Sequence, residues 1–344
     1  MVIGICGIGA TGSSAVEDLL REYDDVQSVA DDEFNLIYTP DGLLDLEYHL
    51  VMQPNRFFSS DVAIKRFVEY TKKISKEPHG YYNRWTQYRF GAITNKYIES
   101  LVQMRWKGYW YFDAYECSDF VRTLKFRLFD NRFLTRIQVK LKKKIITFLD
   151  RDMYLSVEPE CFYEKTKMYL YNIFEAMGVD VTKPVCVSQL FPGNNPMAGM
   201  QFFDDAKAIV IDRDPRDLYV LQKMGKCVLD HWSPTDTVEH FVEYYKYCRR
   251  FKYPDDSRVK NIQFEDLIYN YEDTVKEIEQ FLGLDQHVNK KHFFVPEISI
   301  NNTQLYVGVD DIQEDIRYVE KELREYLYDY SKFPKKESTI NIAF

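Results

Sequence analysis

A wholly apolar run, Val2 to Cys6, passes into the glycine-rich turn GIGATGSS (Gly7 to Ser14). The segment AVEDLLREY follows, with Ala15, Val16, Leu19 and Leu20 on one helical face. Strand, glycine loop and helix in that order open a nucleotide-binding α/β sheet. Glycines let backbone N–H groups approach phosphate oxygens, and the helix N-terminus adds a favourable dipole. Two spacings overlap in the loop. As G-x-G-x-x-G (Gly7, Gly9, Gly12) it is a dinucleotide-binding fingerprint; as G-x-x-x-x-G-S-S it has the outline of a P-loop with Ser13 in place of the lysine. By itself the loop implies a phosphate-bearing ligand.

Strand–helix alternation then stops. Between residues 41 and 180, GLLDLEYHLVM, SDVAIKRFVEYTKKI and RFLTRIQVKLKKKIITFL show helical spacing, with aromatic stretches such as GYWYFDAY between them. Alternation resumes with a strand from Pro184 to Gln189, a strand from Ala208 to Ile211 with a turn and helix, and a helix at DTVEHFVEYYKYC. A strand at RVKNIQF follows, then the helix YEDTVKEIEQFLGL with Gly283 at its C-terminal stop, and a final amphipathic helix from Asp310 to Tyr330. The expected architecture is one α/β domain over 1–344: a P-loop-type parallel sheet flanked by helices. Residues 41–180 form a mainly helical insertion that shapes an acceptor cleft.

The net charge of −9 argues against a general polyanion binder such as a nucleic-acid-coating protein, though it leaves room for one local phosphate pocket. Six cysteines, at 6, 117, 161, 186, 227 and 248, form no CxxC pair and no metal-ligand spacing, so reduced thiols and a cytoplasmic protein are expected, with no metal. The apolar N-terminus lacks a basic flank and the length to cross a membrane. With 27 Tyr and 24 Phe, any single aromatic reads first as core. The cluster Lys140, Lys142, Lys143 and Lys144 reads as a solvated helix face.

AIVIDRDPRDLYV ends a strand with Arg213 and turns through Asp-Pro-Arg-Asp into a helix. Together with the glycine loop and with VKNIQFEDLIYNYEDTVKEIEQFLGL, it resembles the sulfotransferase family, in its bacterial glycan and capsular-polysaccharide branch. The three segments occur in the family's order and cover roughly the first 30 residues and 184–284. The resemblance implies 3′-phosphoadenosine 5′-phosphosulfate (PAPS) as co-substrate and a hydroxyl acceptor, a sugar or glycan, in polysaccharide biosynthesis. Gly9, Thr11, Gly12, Ser13 and Ser14 would cradle the 5′-phosphosulfate. Arg213 would clamp the 3′-phosphate with its planar, charged fork, and Phe264 would border the adenine pocket.

Departures from the family pattern are also visible. Ala10 stands where family loops carry Lys or Arg. Leu221 replaces a serine eight residues after the motif arginine, and Gln189 matches the position of a catalytic histidine in some members. NNTQLYVGV, from Asn301, is the nearest counterpart of a C-terminal basic-glycine loop. Sulfuryl transfer needs a group to accept the hydroxyl proton. The glycan branch takes it from a carboxylate six residues past the loop glycine, which lands on Asp18, with Glu17 beside it. His231, next to Trp232, is the one histidine near an expected ligand edge. Two other readings stay open: an NAD(P)-binding Rossmann oxidoreductase or epimerase, for which Tyr163 and Lys167 have the spacing of a Tyr-Lys pair, and a non-catalytic nucleotide-binding relative.

Overall fold

The computed structural model describes residues 1–29, 33–76, 80–110, 118–120, 122–123, 132–143, 150–157, 159–224, 233–250, 253, 255–285 and 290–334. Trp232, His231 and Lys144 lie outside them; Lys140, Lys142 and Lys143 are exposed. The strands are β1 (Val2–Gly7), β2 (Gln27–Ser28), β3 (Met104–Gly108), β4 (Arg151–Leu155), β5 (Val185–Ser188), β6 (Ala206–Asp212) and β7 (Val259–Gln263). Five of them form a parallel sheet in the order β2-β5-β1-β6-β7. Counting sheet strands along the chain, the spatial order is 2-3-1-4-5. A Rossmann sheet sets its second strand beside its first; here the third strand, β5, takes that place. The glycine loop therefore belongs to a P-loop-type sheet, as expected.

Alternating side chains supply both faces of the sheet. Ile3, Ile5, Ile209, Ile211 and Ile262 meet Val16, Leu19 and Leu20 of α1 (Ser13–Leu20) on one face. Val2, Cys6, Val187, Ala208 and Val210 meet the 41–180 stretch on the other. Within that stretch α2 (Arg56–Ile74), α3 (Phe90–Leu101) and α4 (Phe162–Ala176) share this one core. Tyr97 and Tyr169 stack at 4.3 Å, and their hydroxyls bond Thr166 at 2.7 Å and Thr94 at 2.9 Å. These tyrosines are core, as the composition predicts. The stretch also holds a feature its helical spacing does not announce: β3 and β4 pair antiparallel, Trp106 opposite Met153. β3 is mostly exposed and β4 mostly half-buried, and no alternating apolar pattern marks either.

After β6 come α5 (Pro215–Lys223) and α6 (Val238–Arg250). After β7 come α7 (Phe264–Tyr269) and α8 (Tyr271–Leu282), and then α9 (Gln313–Glu322). Gly283 ends α8 in the left-handed region, φ 73°, its N–H bonded to Glu279 O at 2.8 Å. The last helix is shorter than its amphipathic pattern implies: short 3₁₀ turns at Asp310–Ile312 and Arg324–Tyr326 flank it. No helix among the described residues is long and apolar enough to cross a membrane.

Candidate functional site

Four loops leave the carboxyl ends of adjacent strands and meet there. The first is the glycine loop. Gly9 (φ 52°), Ala10 (φ 54°) and Gly12 (φ 102°) all adopt left-handed backbone. Ala10 does so with a Cβ, a conformation that costs an L-residue about 1–2 kcal/mol. Thr11 is buried and Ser14 exposed, and no side chain caps the first turn of α1. Ser13 Oγ accepts a bond from Gln189 Nε2 at 3.2 Å. Gln189 follows β5 and is held by its N–H on Ile5 O at 2.8 Å. The position that matches a histidine in some relatives thus carries an amide tied to the loop.

The third loop brings Arg213, only 5% exposed, from the end of β6. Its Nη1 donates to Ala10 O at 3.2 Å and its Nη2 to Asn302 O, while its Nε–H is buried without a partner. The fourth loop brings Phe264 from the end of β7. The guanidinium stands 4.6 Å over the Phe264 ring, and a Cβ on Gly12 would lie 2.5 Å from that same ring. Gly12 and Arg213 therefore both lie against Phe264, Gly12 from 252 positions away in the chain.

The other motif charges face away from the loop. Asp214 caps α5, accepts Nε and Nη2 of Arg216 at 2.9 and 2.7 Å, and takes the Tyr328 N–H at 2.9 Å. Asp217 accepts the N–H groups of Gln304 at 2.8 Å and Leu305 at 2.6 Å. Burial, then the neighbouring Asp214, raises its pKa. The NNTQL segment thus reaches Arg213 through Asn302 O. An Asp217→Ala variant should lose roughly 2–4 kcal/mol in urea denaturation, since two buried N–H groups lose their acceptor; an unchanged midpoint would show that the segment holds itself. Leu221 packs with the helical cluster of α5, α6 and α9.

The two carboxylates after the loop diverge. Asp18 lies 3.6 Å from Arg21 in a half-exposed ion pair. Glu17 accepts Ser28 Oγ at 3.0 Å and interacts with Ser188, the last residue of β5. Burial is the main cause that raises both pKa values. A third carboxylate reaches this edge unannounced by the sequence spacing: exposed Glu33 precedes Phe34, whose N–H donates to Ser188 O at 2.9 Å. Tyr163 and Lys167 go to separate partners, Glu47 at 2.6 Å and Asp204 at 2.8 Å.

A cleft of about 700 Å³ opens beside Ile8 of the glycine loop. Its walls come from β6, β7, α6 and α8, with Asn194, Asn261, Gln263 and Asn270 among them; none of its described lining comes from residues 41–180. Asp212 and Arg249 pair across it, Nε to Oδ2 at 3.0 Å.

No curated protein matches the sequence. A crystal structure of a sulfotransferase from Mycobacterium avium superposes with a TM-score of 0.33 at 12% identity, over 97% of this chain and 77% of that one. A profile described as the sulfotransferase family matches residues 3–288, which takes in the glycine loop, the Arg213 turn and the Phe264 segment in a single span. On that match the chain belongs to the sulfotransferase family.

Proposed function

We propose that this protein transfers the sulfuryl group of PAPS to a hydroxyl of a carbohydrate acceptor, in the cytoplasm and in polysaccharide biosynthesis. The observation that carries the reading is the convergence of Arg213 and the left-handed glycine loop on one strand edge. The residues fit a nucleotide with a phosphate at each end. The uncapped N–H groups at Gly12, Ser13 and Ser14 suit the 5′ side, and Arg213, with Nε–H still unbonded, suits the 3′-phosphate. PAPS, when bound, supplies the activated sulfuryl group. The chain's own part is to hold both phosphates, orient the acceptor and take its proton. Amide side chains beside Ile8 suit a polyhydroxylated acceptor.

Adenosine 3′,5′-bisphosphate should raise the melting temperature, and AMP should do so weakly. Arg213→Ala should weaken bisphosphate binding about ten- to a hundredfold, the loss of a charge-assisted contact of roughly 1.5–3 kcal/mol. Equal responses to AMP and the bisphosphate in wild type would sink the 3′-phosphate assignment. A second reading, a nucleotide-binding relative without catalysis, is favoured by Ala10, where family loops carry a cation. Loss of the sulfuryl group from PAPS in the presence of an acceptor, followed by mass spectrometry, separates the two.

A further inference from the structure

Behind Arg213 lies a buried cluster whose charges do not balance. Arg213 and Arg216 face three carboxyls, Asp214, Asp217 and Glu265, and all five residues are 8% exposed or less. Arg216 and Asp214 answer each other through two hydrogen bonds. Arg213 is left with two carboxyls near it. Asp217 accepts two backbone N–H groups and the Tyr330 hydroxyl at 3.1 Å, a setting that favours the charged form. Glu265 has far less support. Its Oε1 takes the Asp214 N–H at 3.0 Å and lies 3.4 Å from the same Tyr330 hydroxyl, and its Oε2 is buried with no partner. One Tyr330 proton cannot serve both carboxyls, and an ionised, half-bonded carboxylate at this depth is expensive.

We infer that Glu265 is a positioning residue for Arg213: it is held as the neutral acid, so that Arg213 keeps Asp217 as its single buried counter-charge and remains available to an anionic ligand. Burial first, then the charges of Asp217 and Asp214, push the Glu265 carboxyl up to about 8, against the opposing pull of Arg213. The other titratable groups facing this corner are Tyr306, whose ring lies 4.3 Å under the Arg216 guanidinium, Tyr328, whose hydroxyl donates to Asp266 at 2.8 Å, and Glu320, which holds the far side of Arg216 at 3.0 Å. Once Glu265 loses its proton, an internal carboxylate competes with the ligand for Arg213. A bound phosphate in turn makes that loss harder, so binding takes up a proton.

The inference rests on a phosphate at Arg213, and the test separates the two. Isothermal titration with adenosine 3′,5′-bisphosphate from pH 7.5 to 9.5 covers a range where a phosphate monoester is already doubly charged. Wild-type affinity should fall by up to about tenfold per pH unit above about 8, the slope of one linked proton. Glu265→Gln, neutral at every pH, should keep its pH 7.5 affinity throughout. If that variant fails to fold, wild type at pH 8.5 in buffers of differing ionisation heat should still show proton uptake on binding. A flat wild-type profile, a slope retained in the variant, or zero uptake overturns the role of Glu265 alone. Absence of binding at any pH removes the nucleotide reading, and this role with it.

Discussion

Gly12→Val should abolish nucleotide binding and destabilise the fold at once. At φ 102° a β-branched residue is strained by about 1–3 kcal/mol. Its Cβ would also stand 2.5 Å from Phe264 Cδ2. Phe264 is buried in the core with Val16, Leu19 and Ile211, and its ring lies 4.6 Å from the Arg213 guanidinium. Over-packing of this kind costs roughly 1–3 kcal/mol more. The ring must move, and with it the guanidinium that it supports. Urea denaturation should show the combined loss, and calorimetry should show no bisphosphate binding in the fraction that remains folded. Normal affinity in a folded variant would place the nucleotide elsewhere.

The second large effect concerns the proton of the acceptor hydroxyl. Removing a general base lowers turnover roughly a hundred- to ten-thousandfold while leaving co-substrate affinity near wild type. The family resemblance nominates Asp18, with Glu17 beside it, and adjacent helical residues point about 100° apart. Of the two, Glu17 is turned to the end of β5, beside the loop that carries Gln189, while Asp18 is engaged with Arg21 on the helix surface. We therefore expect Glu17→Gln to lose sulfuryl transfer with bisphosphate binding intact, and Asp18→Asn to retain most of it. Glu33→Gln belongs in the same assay because its exposed carboxylate shares this edge. Dead Asp18→Asn with active Glu17→Gln would return the role to Asp18. Loss confined to Glu33→Gln would move it to the segment after β2. If all three stay active, the proton leaves by another route.

How much of this was legible in advance follows the range of the interactions. The glycine loop, α1 and the Arg213 turn are local patterns, in which backbone conformation and polarity are set within a dozen residues. They sit in the structure where the sequence places them. The antiparallel pair β3–β4 sets Trp106 opposite Met153, 47 positions on, and neither strand carries a period of its own. Glu265 stood in plain view within FEDL, yet only the fold shows that its neighbours are other buried carboxyls. The 41–180 stretch reads as helical, and most of its described residues lie in helices. Its packing against the sheet in one shared core depends on Phe67, Tyr169 and Phe174 meeting Val187 and Val210, which no window reveals.

The segments that secure the Arg213 turn come from late in the chain. Gln304 and Leu305 pin to Asp217 across 87 and 88 positions, and Tyr328 reaches Asp214 across 114. All three lie beyond residue 288, where the family match stops. A ribosome delivers the glycine loop and the Arg213 turn before these partners, the last of which is Tyr328. Until then the Arg213 turn lacks its outer supports. Vectorial synthesis therefore completes the strands of the sheet before the supports of the Arg213 turn, and a message cut short before Tyr328 yields a chain with its glycine loop and its sheet but without the Tyr328 bond to Asp214.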